Sequence, residues 1–435
     1  MTPTRAAGPS EATGRARRPA GLRPAQVAWL AGAVFSVSAG YGALLPVLPS
    51  WLATLMPGVD VVDVGRHVGF LSGVYAAGVL FGAPLWGAVS DRLGRRRVLI
   101  AGLVGYVTSL LLLLVPAATG LWGLYALRGA TGFFVAAVIP VVAALVAEHT
   151  PKRLRARRFA WLGAMSLVGF LFGPALSAVG VWLGPWVAGA PLSPTLSAKV
   201  VLLLSASLGA VMMLVLARTL PTLRGDAVDA KEDLATSTGV GTDQASALPL
   251  YWLSGVVMFV LAGFELGIVL QEQHSSEVTS SQSAIMLAEC SLVMLGVNAL
   301  LFITSLLEKM PARTLIGTGL LLATAGLIVL ATDPTDAWMY FGVSLTSAGT
   351  GLVLPVIAYL AAATSPPRLG AVMGGLAAAS GLGQTLGSAA GGELFGAVQH
   401  LTFAWLAAPL IAMTGLMLTR HQLWSGTAST VIHPR

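Results

Sequence analysis

The chain has 435 residues, of which 56% are hydrophobic and only 10% charged, and its mean hydropathy is +0.81. A soluble domain carries about a quarter charged residues, so this composition excludes a string of water-soluble domains and points to a chain in lipid. A net charge of +7 would suit a nucleic-acid binder, but the bases sit in short connections between apolar runs, which is the positive-inside pattern of a membrane protein.

The first apolar run starts near Val27, behind Arg15, Arg17 and Arg18, and continues for about twenty residues to Pro46 and Pro49. It is longer than the apolar region of a signal peptide and more runs follow it, so residues 1–25 read as a basic cytoplasmic tail leading into a first helix. Further segments long enough to cross the hydrocarbon core lie at 68–90, 98–118, 121–147, 159–184 and 199–219. After a break come 250–270, 284–307, 313–331, 338–363, 370–398 and 401–420. Twelve membrane helices are therefore predicted, rich in the small residues that close helix contact in lipid requires.

An even number of spans puts both termini on one side. Placing them in the cytoplasm assigns 22 of the 25 Lys and Arg residues to that face and leaves out only Arg66, Lys199 and Arg128. Residues 221–249 carry Asp226, Asp229, Lys231, Glu232 and Asp233 and then a Thr/Ser/Gly stretch without apolar periodicity. They read as a flexible cytoplasmic linker between six-helix bundles at 26–220 and 250–420, with 421–435 as a second cytoplasmic tail. An internal repeat supports the division: VIPVVAALVAEHTPKRL at 138–154 matches VLPVIAYLAAATSPPRL at 353–369 in nine of 17 positions. The register carries Pro140 to Pro355, Pro151 to Pro366 and Arg153 to Arg368. Two parallel repeats with a site between them is a transporter architecture.

Four stretches carry more than topology. The connection after the second helix reads Gly87-Ala-Val-Ser-Asp91-Arg92-Leu-Gly94-Arg95-Arg96-Arg97. Asp91 ends a helix, where the macrodipole disfavours a carboxylate, so it calls for Arg95 or the start of the eleventh helix near Gly370 as a partner. Helix four holds Arg128-Gly-Ala-Thr-Gly132, with Arg128 about seven residues inside the span, a depth near 10 Å. An arginine there costs about 2.5–3.5 kcal/mol and is functional by default, unless it snorkels to the outer interface. Helix five holds Gly169-Phe-Leu-Phe-Gly173-Pro174, and helix one ends Gly42-Ala-Leu-Leu-Pro46-Val-Leu-Pro49.

Together these stretches resemble motifs A, B and C and the first helix of the major facilitator superfamily, in particular its twelve-helix drug:proton antiporters of the tetracycline-exporter kind. The resemblance covers the N-terminal half; the counterpart of the first motif in the other half has decayed to Leu307-Glu308-Lys309-Met-Pro-Ala-Arg313. It implies an all-α membrane fold of two pseudo-symmetric six-helix bundles. It also implies a conformational latch at Gly87, Asp91, Arg92, Gly94 and Arg95, a part for Arg128 in proton coupling, and antiporter packing at Gly169, Gly173 and Pro174. Ser177 and Ala178 stand where the third motif usually has a glycine pair.

A proton-driven exporter needs a carboxylate in the membrane, because burial brings its pKa towards neutrality. Glu265 in helix seven and Glu289 in helix eight are the candidates, with Glu289 also readable as a protonated acid bonded to a neighbouring helix. Glu148 joins the latch beside Arg95 or the bases at 152–158, while Glu393 reads as interfacial. His67, His274 and His400 fall at outer ends or loops without metal-ligand spacing. Cys290 is the only cysteine and reads as a small buried side chain. Trp29, Phe35, Tyr41, Met258 and Phe259 suit either a lipophilic cavity or a lipid face.

The expectation is a monomeric secondary transporter in a bacterial inner membrane. It exports a small organic molecule against protons and has no cofactor, no metal and no nucleic-acid partner. Uptake or facilitative transport of a metabolite is the alternative, and a membrane-embedded enzyme a remote one.

Overall fold

Lipid offers no partner to an open N–H or C=O, so a chain of this composition must satisfy its backbone within helices. The computed structural model describes residues 22–115, 120–150, 152–188, 193–220, 244–271, 280–304, 306–332, 336–364, 369–398 and 401–419. Among these, all regular structure is helical. Residues 1–21 of the first expected tail, the whole second tail at 421–435 and most of the linker, residues 221–243, lie outside the described residues.

A helix occupies each of the twelve expected segments. The first bundle comprises α1 (Pro24–Leu44), α2 (Leu48–Leu55), α3 (Val61–Leu93), α4 (Arg95–Leu112), α5 (Leu121–Val135), α6 (Ile139–Glu148), α7 (Lys152–Ala188) and α8 (Pro194–Thr219). The second comprises α9 (Gln244–Gln271), α10 (Ser280–Ile303), α11 (Leu306–Lys309), α12 (Ala312–Ala331), α13 (Asp336–Thr364), α14 (Leu369–Val398) and α15 (Thr402–Thr419). By length and composition, nine of the described helical stretches qualify as membrane spans. α4 opens on three arginines and α14 is glycine-rich, and both fall outside that set.

Local chemistry sets the boundaries. Pro24 opens α1 with its fixed φ, and the Arg23 N–H donates to Gln26 Oε1 at 2.9 Å. Pro46 lies in the turn from α1 into the short α2 and Pro49 in the first turn of α2, an element the apolar pattern alone does not announce. Gly94, at φ +91°, makes the turn between α3 and α4, a conformation that suits glycine. The predicted fourth helix is broken at 136–138 into α5 and α6, since Pro140 has no N–H to return to Ala136. Its repeat partner Pro355 sits inside the unbroken α13. α3, α7 and α9 start six or seven residues before the apolar segments, because helix continues past the hydrocarbon into polar sequence. Gln244 thus begins α9 inside the stretch read as linker.

Two cores form. One gathers buried residues from Leu22 to Leu220 and takes in Leu266, Leu270 and Phe395 from the other half. The second runs from Leu250 to Met417 and takes in Leu45. The halves meet along two seams, α3 against α14 and α7 against α10, and Leu167 and Phe170 of α7 pack on the second core.

Candidate functional site

Arg128 lies seven residues into α5, and its side chain is only 3% exposed. Instead of snorkelling outward, it turns inward to the aromatic rings of α1 and α3. Its guanidinium carbon stands 4.6 Å from the Tyr75 ring centroid and 5.7 Å from that of Tyr41. The two rings stack on each other at 4.9 Å, and Phe170 of α7 packs on Tyr41 at 5.8 Å. Cation–π contact offsets part of the cost of holding the charge out of water, but Nε and Nη2 are buried without a hydrogen-bond partner.

Tyr41 is also the link to the other bundle. Its hydroxyl is within hydrogen-bonding reach of Gln384 on α14, and it lies in electrostatic range of both Arg128 and Glu265. Glu265 is partly accessible on α9 between the fully buried Phe264 and Leu266. The groups acting on Arg128 are the tyrosines at 75, 41 and 106, with no carboxylate among them. Arg128 and Glu265 are thus gathered around one phenol and do not form an ion pair.

Glu289 on α10 has a more local setting. The Ser344 hydroxyl of α13 donates to its Oε1 at 2.5 Å, while Oε2 is buried without a partner. This is the helix-to-helix bond that the sequence left open as a structural role. Cys290 beside it is buried, in hydrogen-bonding reach of Ser347 and in electrostatic range of Glu265.

At the base of the bundle, where α1 begins and α8 ends, Arg95 collects a charge cluster. It binds Asp91 at 2.6 Å and Glu148 at 2.9 Å, and it donates to the Ser90 hydroxyl. Asp91 therefore takes the near one of its two expected partners. Arg92 is exposed, and Arg96 caps α8 by donating to the Ala217 carbonyl. Gly87 and Gly374, on the base halves of α3 and α14, have open space where a Cβ would stand.

At the opposite rim the same two helices are locked together. A Cβ on Gly69 would stand 2.8 Å from Gly392 Cα, and one on Gly396 2.7 Å from Val62. Arg66 of α3 bridges to Glu393 of α14 at 2.8 Å and to Asp63 at 2.9 Å. In α7, Gly169 and Gly173 let the backbone approach α1: a Cβ at Gly169 would lie 2.5 Å from the Phe35 carbonyl oxygen, and Gly173 abuts Gly42 and Ala43. Pro174 is buried beside them, and Ser177 donates to the Ala43 carbonyl at 2.5 Å.

Sequence reasoning missed the partner of Glu393 and the roles of Tyr75, Tyr106 and Gln384. Arg66 was the available signal, as a base on the wrong side of the charge pattern. His67 is not simply solvated, since its Nδ1 pairs with the Tyr125 hydroxyl at 2.9 Å. His274 and His400 lie outside the described residues.

Comparison with known proteins addresses the family and the fold. Residues 30–300 match the Major Facilitator Superfamily. The chain is 37% identical over 140 residues to the class B tetracycline resistance protein of Escherichia coli, 32% of this chain and 33% of that protein. The chain thus spans about a third of the length of such tetracycline-resistance relatives. Similarity to multidrug resistance protein 2 of Bacillus subtilis is 25% but longer, covering 67% of this chain and 70% of that protein. The xylose transporter XylE of E. coli, solved in a partially occluded inward-open conformation, superposes with a TM-score of 0.69 at 15% identity over 90% of this chain and 96% of that one. With the family matched over more than half of its length and the fold matched nearly end to end, this chain is an integral membrane protein that belongs to the Major Facilitator Superfamily.

Proposed function

We propose that the protein is a secondary active exporter of a bacterial inner membrane, exchanging protons for a small organic molecule by alternating access. The observation that carries this reading is the meeting of Arg128, Tyr41 and Glu265 where the two bundles face each other. Glu265 is the proposed proton site: a carboxylate in low dielectric can hold a proton near neutrality, and losing or gaining that charge changes what Tyr41 and Gln384 contact across the seam. Glu289 is the second candidate, weakened by its bond to Ser344. A membrane potential supplies about 2.3 kcal/mol per charge per 100 mV, enough for one inward proton to drive substantial accumulation outside.

Base-directed arginines and lysines support cytoplasmic termini. On that orientation we read the α3–α14 rim as the outer closure and the free space at Gly87 and Gly374 as room for the base to close. We read Gly87, Asp91, Arg92, Gly94, Arg95 and Glu148 as the inner latch. When the base closes, the start of α14 reaches Asp91, whose carboxylate suits a helix N-terminus. Gly169, Gly173 and Pro174 hold α7 against α1, so that the first bundle swings as one body. Similarity to tetracycline, multidrug and quinolone resistance proteins supports a drug-like cargo and export over uptake. A single chain holds the whole arrangement, which fits a working monomer.

Proton movement in everted vesicles tests the proposal. The vesicles are energised to an acid interior, a panel of drugs is added, and a pH-sensitive dye is followed. Proton release that depends on the compound, present in the wild type and lost in Glu265→Gln, is the expected result. Release retained in Glu265→Gln and lost in Glu289→Gln moves the proton site to α10. Compound accumulation without proton movement rules out proton antiport.

A further inference from the structure

We infer that the Arg128 cage is the subsite for a carboxylate, so that the transported molecule is an organic acid. The inference rests on the chain being an exporter with its site between the bundles and adds the chemistry of the cargo. Arg128 carries a full charge in a bundle whose acids are Asp60, Asp63, Asp91 and Glu148, all at helix ends or in connections. Its nearest charge-bearing or aromatic contacts are the rings of Tyr75 and Tyr41, and no ion pair to it is found among the described residues. Aromatic faces stabilise a cation but accept no hydrogen bond in the guanidinium plane, and a buried charge left unpaired is strongly unfavourable.

The two unpartnered atoms indicate what is missing. Nε and Nη2 are adjacent, and their N–H bonds run parallel from one edge of the guanidinium. That edge forms the side-on fork that grips both oxygens of a carboxylate. A water bridging both N–H groups would leave the charge unbalanced, and a halide would share one atom between them, whereas a carboxylate gives each N–H its own oxygen. Glu265 does not fill the role, because it belongs to the opposite bundle and leaves Nε and Nη2 without a partner. Two more donors nearby also lack partners: the Tyr106 hydroxyl, in electrostatic range of Arg128, and Ser72, one turn before Tyr75 on α3.

Thermal unfolding of the full chain in detergent tests this with benzoate, salicylate and naphthoate. Benzamide is the neutral isostere and sodium chloride the matched salt. At least one carboxylate is expected to raise the midpoint saturably, with no response to benzamide or chloride. Arg128→Gln should abolish the response, and Arg128→Lys, which keeps the charge but loses the fork, should weaken binding at least tenfold. Arg128→Lys alone decides the matter if the glutamine variant does not fold. A flat response to all three acids, an equal response to benzamide or chloride, or unchanged binding in the lysine variant overturns the inference. Proton release driven only by non-acidic drugs also overturns it while leaving the exporter reading intact. Carboxylate binding without proton release in vesicles supports the subsite and counts against the antiport.

Discussion

Glu265 and Glu289 differ in what surrounds them, and that difference predicts different phenotypes. Glu289 accepts from Ser344 on a helix of its own bundle, so Ser344→Ala should cost about 1–2 kcal/mol by leaving a buried acceptor unpaired. Its thermal midpoint should fall while drug-driven proton release continues. A Ser344→Ala protein of unchanged stability but without proton movement would reverse the two acids' roles. Glu265 has no such anchor and answers to Tyr41 across the seam. Depth along a helix was legible in the sequence, because counting from the start of an apolar run places Arg128, Glu265 and Glu289 well inside. Direction around the axis was not. Tyr41 could be read as lining a cavity or facing lipid, and only the crossing of α1, α3 and α5 turns it and Tyr75 onto the guanidinium.

Among the helices, small residues do two separable jobs. Gly173 is in backbone contact with Gly42 and Ala43, so Gly173→Val forces α7 from α1 and should destabilise the first bundle by about 1–3 kcal/mol, the usual cost of overpacking. Gly87 faces open space. Gly87→Val should therefore leave the unfolding midpoint within about 0.5 kcal/mol of the wild type yet slow transport, if α14 must approach α3 there in the other state. Normal transport by Gly87→Val would remove Gly87 from the latch. The motifs identified both positions as small, but a motif does not say which contact exists in which state. The same limit appears at the repeated prolines. Pro140 accompanies a break between α5 and α6, and Pro355 sits in the continuous α13, because neighbouring helices decide whether a lost hydrogen bond becomes a bend.

For the whole molecule the balance between two openings rests on few contacts. The six-and-six organisation follows from apolar lengths, basic connections and the repeat at 138–154 and 353–369, all of which are local or periodic signals. The rim clasp pairs residues 327 apart in the chain, and no local pattern can announce it. Both Arg66 and Glu393 are 43% exposed, so the pair is worth about 0.2–1 kcal/mol. Removing it should shift the balance of states by up to about fivefold and leave the fold intact. The check uses a Cys290→Ala background, which removes the one native thiol, with a cysteine pair at Val62 and Gly396 reporting the closed rim and one at Gly87 and Gly374 reporting the closed base. Glu393→Gln should slow cross-linking at the rim and speed it at the base, and Glu393→Lys should do so more strongly, since Arg66 would then face a like charge. Adding Arg66→Glu to Glu393→Lys should recover most but not all of the rim rate, because the new glutamate stands beside Asp63. Rim and base rates that fall together would indicate lost folding, and rates unchanged in all three variants would leave the glycine packing of α3 on α14 as the force that holds the outside shut.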